Sequence, residues 1–148
     1  MSNRGAPSFA FTHYVRDHCL CLQVQRAARA LARRFDEALR PLGLTHGQFS
    51  LLNALNRAEP PVIGDVADLL VMDRTTVTTN LKPLRRRGLV RVEVDRGDRR
   101  NRRLVLTPSG QALLATAAPL WRHTHKATER RMTRSAPDHL RAGLLELC

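Results

Sequence analysis

Residues Asp73 to Gly88 read Asp-Arg-Thr-Thr-Val-Thr-Thr-Asn-Leu-Lys-Pro-Leu-Arg-Arg-Arg-Gly, and the fold turns on this segment. Val77, Leu81 and Leu84 recur at spacings of four and three, the inner stripe of an α-helix. Asp73 is a good N-cap, and Gly88 stands where a C′ residue belongs. With that stripe inward, 100° per residue turns Thr75, Thr79, Lys82 and Arg86 away from the core. Thr78 falls at the border and Arg74 on the exposed first turn. Hydroxyls and cations of this size suit base edges and phosphates in a major groove. An ordinary solvated face would carry Glu, yet no acid occurs between Asp73 and Glu93. Pro83 removes the backbone bond to Thr79, so a bend or tightening is expected near residues 79–82, with Arg85, Arg86 and Arg87 re-aimed at the nucleic-acid backbone.

Upstream, Ile63, Val66, Ala67 and Leu70 fall at i, i+3, i+4 and i+7, one buried face of a short helix. A three-residue break, Val71-Met72-Asp73, joins it to the segment above, which is the helix-turn-helix pattern. Downstream, Val90, Val92 and Val94 alternate, and Leu104, Val105 and Leu106 return after a polar loop, Asp95 to Asn101, that contains Gly97. This is a basic hairpin. Farther out, Leu20, Val24, Ala27, Leu31, Phe35, Ala38 and Leu42 predict a long helix from about Asp17 to Leu42, ended by Pro41 and Gly43. Thr45 caps a second helix that carries Phe49, Leu52 and Leu55 and stops at Glu59-Pro60-Pro61.

Thr107 reads as an N-cap with Pro108 at N1. The helix it opens runs through Leu113, Leu114, Ala117, Leu120 and Trp121, with a kink expected at Pro119. Ser135-x-x-Asp138, a capping box without the longer acid, opens a last helix with Leu140, Leu144 and Leu147. The fold class is mainly α with a small β-hairpin wing: a winged helix-turn-helix over residues 45–107, with helical segments 12–44 and 108–148 forming a dimerisation region of one 148-residue unit.

Composition narrows the function. One compact domain is the expectation for 148 residues, and 43% hydrophobic content supplies a core. Lys plus Arg is 25 against 13 for Asp plus Glu, a net charge of +12. Lys82 and Lys126 are the only lysines, so the charge is almost all guanidinium. From Lys82 to Arg103, ten basic residues face three acids, +7 of that total. DNA, RNA or an anionic membrane surface would attract such a chain. The longest apolar stretch, Ala112 to Trp121, is too short to span a bilayer and contains Thr116 and Pro119. Met1 to Phe11 lacks the apolar block of a signal peptide, so a cytoplasmic location is expected. Three cysteines, an odd number, make no disulfide framework. No glycine-rich phosphate loop, nucleophile elbow or metal-hydrolase motif is present, so neither an enzyme nor a cofactor is expected.

Asp73-Arg74-Thr75-Thr76-Val77-Thr78 through Leu84 and Gly88-Leu89-Val90, then Asp95-x-x-Asp98-x-Arg100 and Leu106-Thr107-x-x-Gly110, together with Leu42-x-Leu44-Thr45-x-x-Gln48-Phe49, resemble the MarR family of bacterial transcription regulators over nearly the whole chain. The resemblance implies a homodimer with interlocked first and last helices, and two recognition helices reading a pseudo-palindrome in double-stranded DNA. Val15, Leu20, Leu22, Leu140, Leu144 and Leu147, outside the winged-helix core, agree in needing a partner to cover them. It implies that Arg100 enters the minor groove, oriented by Asp98, and adds Thr76 to the DNA-contacting set. Arg99, Arg102 and Arg103 are expected on phosphates. A basic packaging or RNA-binding protein is the competing reading of the charge, but no aromatic falls in the hairpin to stack on bases.

The sensed signal has three candidates. The commonest family behaviour is relief of repression by a small aromatic or phenolic carboxylate. Its pocket would lie between the helices carrying Phe35, Phe49 and Trp121, lined by His46 and Phe49 with Gln25 as a lesser member. A thiol-based alternative uses Cys21 or Cys19. The hydroperoxide-sensing branch carries its reactive cysteine at the position of Cys21, held by tyrosines where this chain has Phe35 and His46. Within a regular helix Cys19 and Cys21 lie 200° apart and cannot bond to each other. His18, Cys21, His123 and His125 are soft donors, but their spacing matches no strong zinc signature, and no metal site is expected.

Overall fold

A computed structural model describes residues 5–148; Met1 to Arg4, part of the segment searched for a signal peptide, lie outside the described residues. The element order is α1 (Phe9–His18), α2 (Leu20–Leu39), a 3₁₀ turn (Arg40–Leu42), α3 (His46–Leu55), α4 (Ile63–Leu70), α5 (Arg74–Arg86), β1 (Val90–Val94), β2 (Arg102–Leu106), α6 (Pro108–Glu129) and α7 (Pro137–Leu145). This is the expected winged helix flanked by helical segments. Among the described residues no helix is long and apolar enough to cross a membrane.

The core forms where the helical and strand periods coincide. Val77, Leu81 and Leu84 of α5 are buried against Leu52 and Leu55 of α3, Val66 of α4 and Leu104 of β2. Each such side chain contributes roughly 1.5–3 kcal/mol over exposure. Thr45 closes a full capping box at α3: its hydroxyl accepts the Gln48 N–H, and the Gln48 side chain accepts the Thr45 N–H. Gly43 (φ +63) and Gly88 (φ +68) supply left-handed turns after the 3₁₀ turn and after α5. At Gly88 the end is a Schellman motif. Gly88 N–H donates to the Arg85 carbonyl and Leu89 N–H to the Leu84 carbonyl, at 2.9 and 3.0 Å.

The hairpin pairs Val90 with Leu106 and Val94 with Arg102 around the loop read from sequence. Pro61 and Val62 add a short third edge that sequence treated only as a stop: Leu104 N–H donates to the Pro61 carbonyl at 2.9 Å, and Val62 bridges Arg103. Thr107 then caps α6, its hydroxyl accepting the Gly110 N–H at 3.1 Å.

Four local expectations need correction. The first helix is two helices: Cys19, in extended conformation (φ −72, ψ 107), separates α1 from α2, and α1 begins eight residues before Asp17. Gln23 Nε2 caps the Arg16 carbonyl, which lies at this break, at 2.9 Å. Ser135 is not the cap of the last helix. Pro137 takes N1 with its fixed φ, so Ala136 stands at the N-cap, without a side-chain bond. Leu147 lies beyond the end of α7. Asp73 occupies the N-cap of α5 but makes no capping hydrogen bond. Pro83 and Pro119 stand inside α5 and α6, and each helix continues across its proline.

Two positions carry strain or close approach. Val71 is the one described non-glycine residue with positive φ (φ 50, ψ 52), a β-branched residue in the left-handed turn between α4 and α5. A Cβ on Gly110 would sit inside van der Waals contact with the Leu89 carbonyl. Val71→Gly should raise unfolding free energy by about 0.5–1 kcal/mol, relief of left-handed strain less the glycine's added chain entropy. Gly110→Ala should lower it by about 2 kcal/mol. Urea titrations of both variants at matched protein concentration check the two signs.

Candidate nucleic-acid interface

The buried stripe of α5 leaves Arg74, Thr75, Thr76, Thr78, Thr79, Lys82, Arg85 and Arg86 exposed. Thr78 donates its hydroxyl hydrogen to the Arg74 carbonyl at 2.8 Å, so toward any outside partner that oxygen is an acceptor. Arg74 folds its guanidinium over Gly64 of α4, where a Cβ would come within 3.0 Å of Nη2. Glycine at 64 gives that arginine its seat.

Between α5 and the hairpin runs a continuous channel made of three adjoining hollows. At one end stand Arg74, Thr78, Arg100, Asn101 and Arg102. In the middle, Leu81, Val92 and Val94 form an apolar floor beneath Thr78, Arg85 and Arg102. The far end, about 660 Å³, is walled by Lys82, Arg85, Arg86 and Arg91. No carboxylate lines any of the three. Two acids of the hairpin, Glu93 and Asp95, stand on its other side, where with Glu59 they surround Arg96 and Arg103. Arg91 spans the two sides, bonded to Glu93 at 2.6 Å. The hairpin is thus asymmetric, with cations and no carboxylate toward α5 and mixed charge away from it.

The loop at the wing tip is internally tied. Asp98 Oδ1 accepts the backbone N–H of Arg100 at 3.0 Å, and the Asp98 carbonyl accepts the Asn101 N–H at 2.9 Å. Asp98 therefore sets the backbone from which Arg100 projects rather than bonding its guanidinium. Arg102 Nη1 donates to the Arg99 carbonyl at 2.8 Å. Arg74, Lys82, Arg85, Arg86, Arg99, Arg100 and Arg102 are in no ion pair with a described residue.

Two arginines expected toward nucleic acid point elsewhere. Arg103, half-buried, gives Nε to Asp95 Oδ1 at 2.8 Å and Nη1 to the Pro60 carbonyl at 2.6 Å, riveting β2 to the loop before α4. The Arg103 guanidinium holds the Asp95 carboxyl below the usual carboxylate range. Arg87 gives both terminal nitrogens to the Gly43 and Leu42 carbonyls. Sequence signals could not separate these from their neighbours, because an arginine's reach is longer than any local pattern.

The sensor candidates are not gathered in one place. Phe49 is core, stacked on Trp121 at 6.2 Å, with Trp121 in turn on His125 at 4.6 Å. His46 packs its ring on Phe35 at 5.5 Å, and its backbone N–H donates to Asp36 Oδ1 at 2.6 Å. Gln25 lies ten residues from Phe35 along α2, about 15 Å away. Its amide donates to Cys21 Sγ at 3.1 Å, and its oxygen accepts from Arg29 at 2.9 Å. Cys21 is exposed, Cys19 half-buried, and both are free thiols. Beside His46 opens a polar hollow that sequence did not suggest, lined by Arg33, Asp36, Glu37, Arg40, Thr45 and Gln48. His18 stacks on Tyr14, and among the described residues no group of three metal-ligating side chains converges.

Comparison with known proteins places these features in a family. The profile described as MarR family matches residues 42–101. The HTH-type transcriptional regulator TtmR of Methylorubrum extorquens is 34% identical over 97 residues, covering 66% of this chain; the chain spans half of TtmR's length (50%). YwoH of Bacillus subtilis, an uncharacterized HTH-type transcriptional regulator, is 32% identical over 98 residues, which cover 66% of this chain and 70% of YwoH. The M. tuberculosis transcriptional regulator MosR, in its complex with DNA, superposes with a TM-score of 0.79 at 37% identity, covering 88% of this chain and 93% of that one.

The Asp95–Arg103 pair yields a pH test. A carboxyl whose pKa is lower folded than unfolded adds stability above its unfolded value, about 4, and loses it as pH falls through the folded value. Asp95→Asn should therefore melt below wild type at neutral pH, and the two melting temperatures should converge as the solution is acidified below pH 4. Thermal melts from pH 7 to pH 2.5 check this. A gap that stays constant over that range removes the ion pair as its cause.

Proposed function

The chain belongs to the MarR family, and we propose that it is a homodimeric, sequence-specific regulator that represses transcription by binding a pseudo-palindromic operator in double-stranded DNA. The observation that carries this reading is the channel between α5 and the hairpin, with its six arginines, Lys82 and no carboxylate. With α5 in a major groove, Arg74, Thr75, Thr76, Thr78 and Thr79 meet base edges and phosphates. Lys82 and Arg86 bind phosphates farther along the same helix. Arg100 enters the neighbouring minor groove from the loop fixed by Asp98, and Arg99 and Arg102 hold the strand beside it. Arg103 and Arg87 are outside this set.

The dimer reading rests on uncovered apolar surface. Phe9 (86% exposed), Phe11, Tyr14, Val15, Leu20 and Val24 at one end and Leu140, Leu144, Leu145 and Leu147 at the other are open to solvent in the single chain. Residues 12–44 and 108–148 are the dimerising region on this reading, and residues 45–107 the DNA-binding one. A small aromatic or phenolic carboxylate releases the DNA, bound beside His46, with Phe49 in the core and Gln25 apart from it.

One observation favours a thiol-based second reading. The bond from Gln25 to Cys21 Sγ, backed by Arg29, gives that exposed sulfur a polarised donor where Phe35 gives none. A hydroperoxide would then pass one oxygen to the thiolate, leaving as an alcohol and forming a sulfenic acid.

Selection of bound duplexes from a random-sequence pool at physiological salt tests the main reading. A single inverted repeat with half-site centres about ten base pairs apart is expected. Recovery of no motif would instead favour the non-specific basic nucleic-acid protein. Repeating the selection with hydroperoxide and with a panel of phenolic acids separates the two sensor readings. On the recovered duplex, Arg100→Ala should weaken binding at matched salt without changing the melting temperature. Lys82→Ala or Arg86→Ala should each reduce the slope of log affinity against log salt by about one.

A further inference from the structure

Arg87 is the third of three consecutive arginines, and it is turned back onto the protein. Nη1 donates to the Gly43 carbonyl at 2.7 Å and Nη2 to the Leu42 carbonyl at 3.1 Å, 44 and 45 residues away in sequence. Those carbonyls end the helical run formed by α2 and its 3₁₀ turn. There the last carbonyls lack intrahelical partners and partial negative charge collects. A planar guanidinium matches two successive carbonyls with two donors, which an ammonium group cannot do with fixed geometry. Gly43 turns at φ +63, and a Cβ there would lie 3.7 Å from Arg87 Nη2, so the fork lies directly on the turn.

The same residue is the C-cap of α5. One side chain thus joins the end of α5 to the corner where α2 passes into α3. Its neighbours Arg85 and Arg86 wall the channel. We infer that Arg87 is a positioning residue for DNA recognition: it fixes the angle at which α5 is presented and makes no contact with DNA. This rests on the DNA-binding reading above. A displacement of the α2–α3 corner reaches α5 through this fork as well as through the core.

The test compares wild type, Arg87→Ala, Arg87→Lys and Arg86→Ala on two duplexes, the one recovered by selection and a scrambled one of equal length and composition. Affinities are measured across a salt series, and circular dichroism establishes that each variant is folded. Arg87→Ala should bind the selected duplex about tenfold more weakly, bind the scrambled duplex as wild type does, and keep the wild-type salt slope. Arg87→Lys should recover only part of the loss; were the alanine variant not to fold, the lysine variant carries the comparison alone.

A slope reduced by about one, as expected for Arg86→Ala, with equal weakening on both duplexes would make Arg87 a phosphate ligand and overturn the inference. Unchanged affinity with a lowered melting temperature would overturn it too, leaving a structural tie. Full rescue by lysine would overturn the fork geometry. A wild type that does not distinguish the two duplexes defeats the DNA-binding reading itself, and the inference with it. A wild type that distinguishes them beside an Arg87→Ala that does so equally well defeats the inference alone.

Discussion

Four elements meet at the Leu89 carbonyl. It accepts the Thr107 N–H at 3.1 Å, while the Thr107 hydroxyl donates to the Gly88 carbonyl at 2.7 Å. Within these few residues α5 ends in its Schellman turn, β1 begins, β2 ends and α6 starts. Gly110 is pressed so near the Leu89 carbonyl that a side chain has no room. The relative setting of recognition helix, wing and following helix is therefore fixed by backbone groups, whose geometry tolerates little variation. Surface arginines can then be numerous without disturbing that setting, since the junction's bonds are made by backbone groups and the Thr107 hydroxyl rather than by arginine side chains.

The electrostatic design follows from where the acids are. A net charge of +12 on 148 residues repels itself, and an ordinary protein would intersperse carboxylates to relieve that repulsion. Here two of the hairpin's acids are paired, Asp95 with Arg103 and Glu93 with Arg91, and others pair elsewhere: Asp17 with Arg16, Glu37 with Arg40, and both Glu129 and Asp138 with Arg141. Paired arginines fasten the wing and the last helix. Those that line the channel, Arg91 apart, are in no ion pair with a described residue. Burial separates the two kinds only weakly; partner geometry separates them well.

What could be read in sequence was what short-range physics specifies. Asp73 to Gly88, the alternation of β1, the loop from Asp95 to Asn101 and the Thr107-Pro108 start each carry their own signal within a few residues, and each element appears where that signal put it. The break at Cys19 has no such signal. No proline or glycine stands there, so periodicity alone carried a helix begun at Asp17 straight through it and left most of α1 unread. Ser135 misled because a capping hydroxyl and a following Pro137 compete for the same helix start. Arg87 and Arg103 were grouped with their neighbours because their partners, Leu42, Gly43 and Pro60, are more than forty residues away. Charge marked the surface; only the folded chain could divide it.

The apolar residues left open on α1, the first half of α2 and α7 also bear on how tightly the chain holds together. Whatever buries them binds the folded form and not the unfolded one, so by mass action it adds to stability in proportion to the logarithm of its own free concentration. If that cover is another copy, dilution is itself a denaturant. The chain then has no single melting temperature, only a series of them indexed by its abundance, and folding and occupancy of any binding site rise together as the protein accumulates.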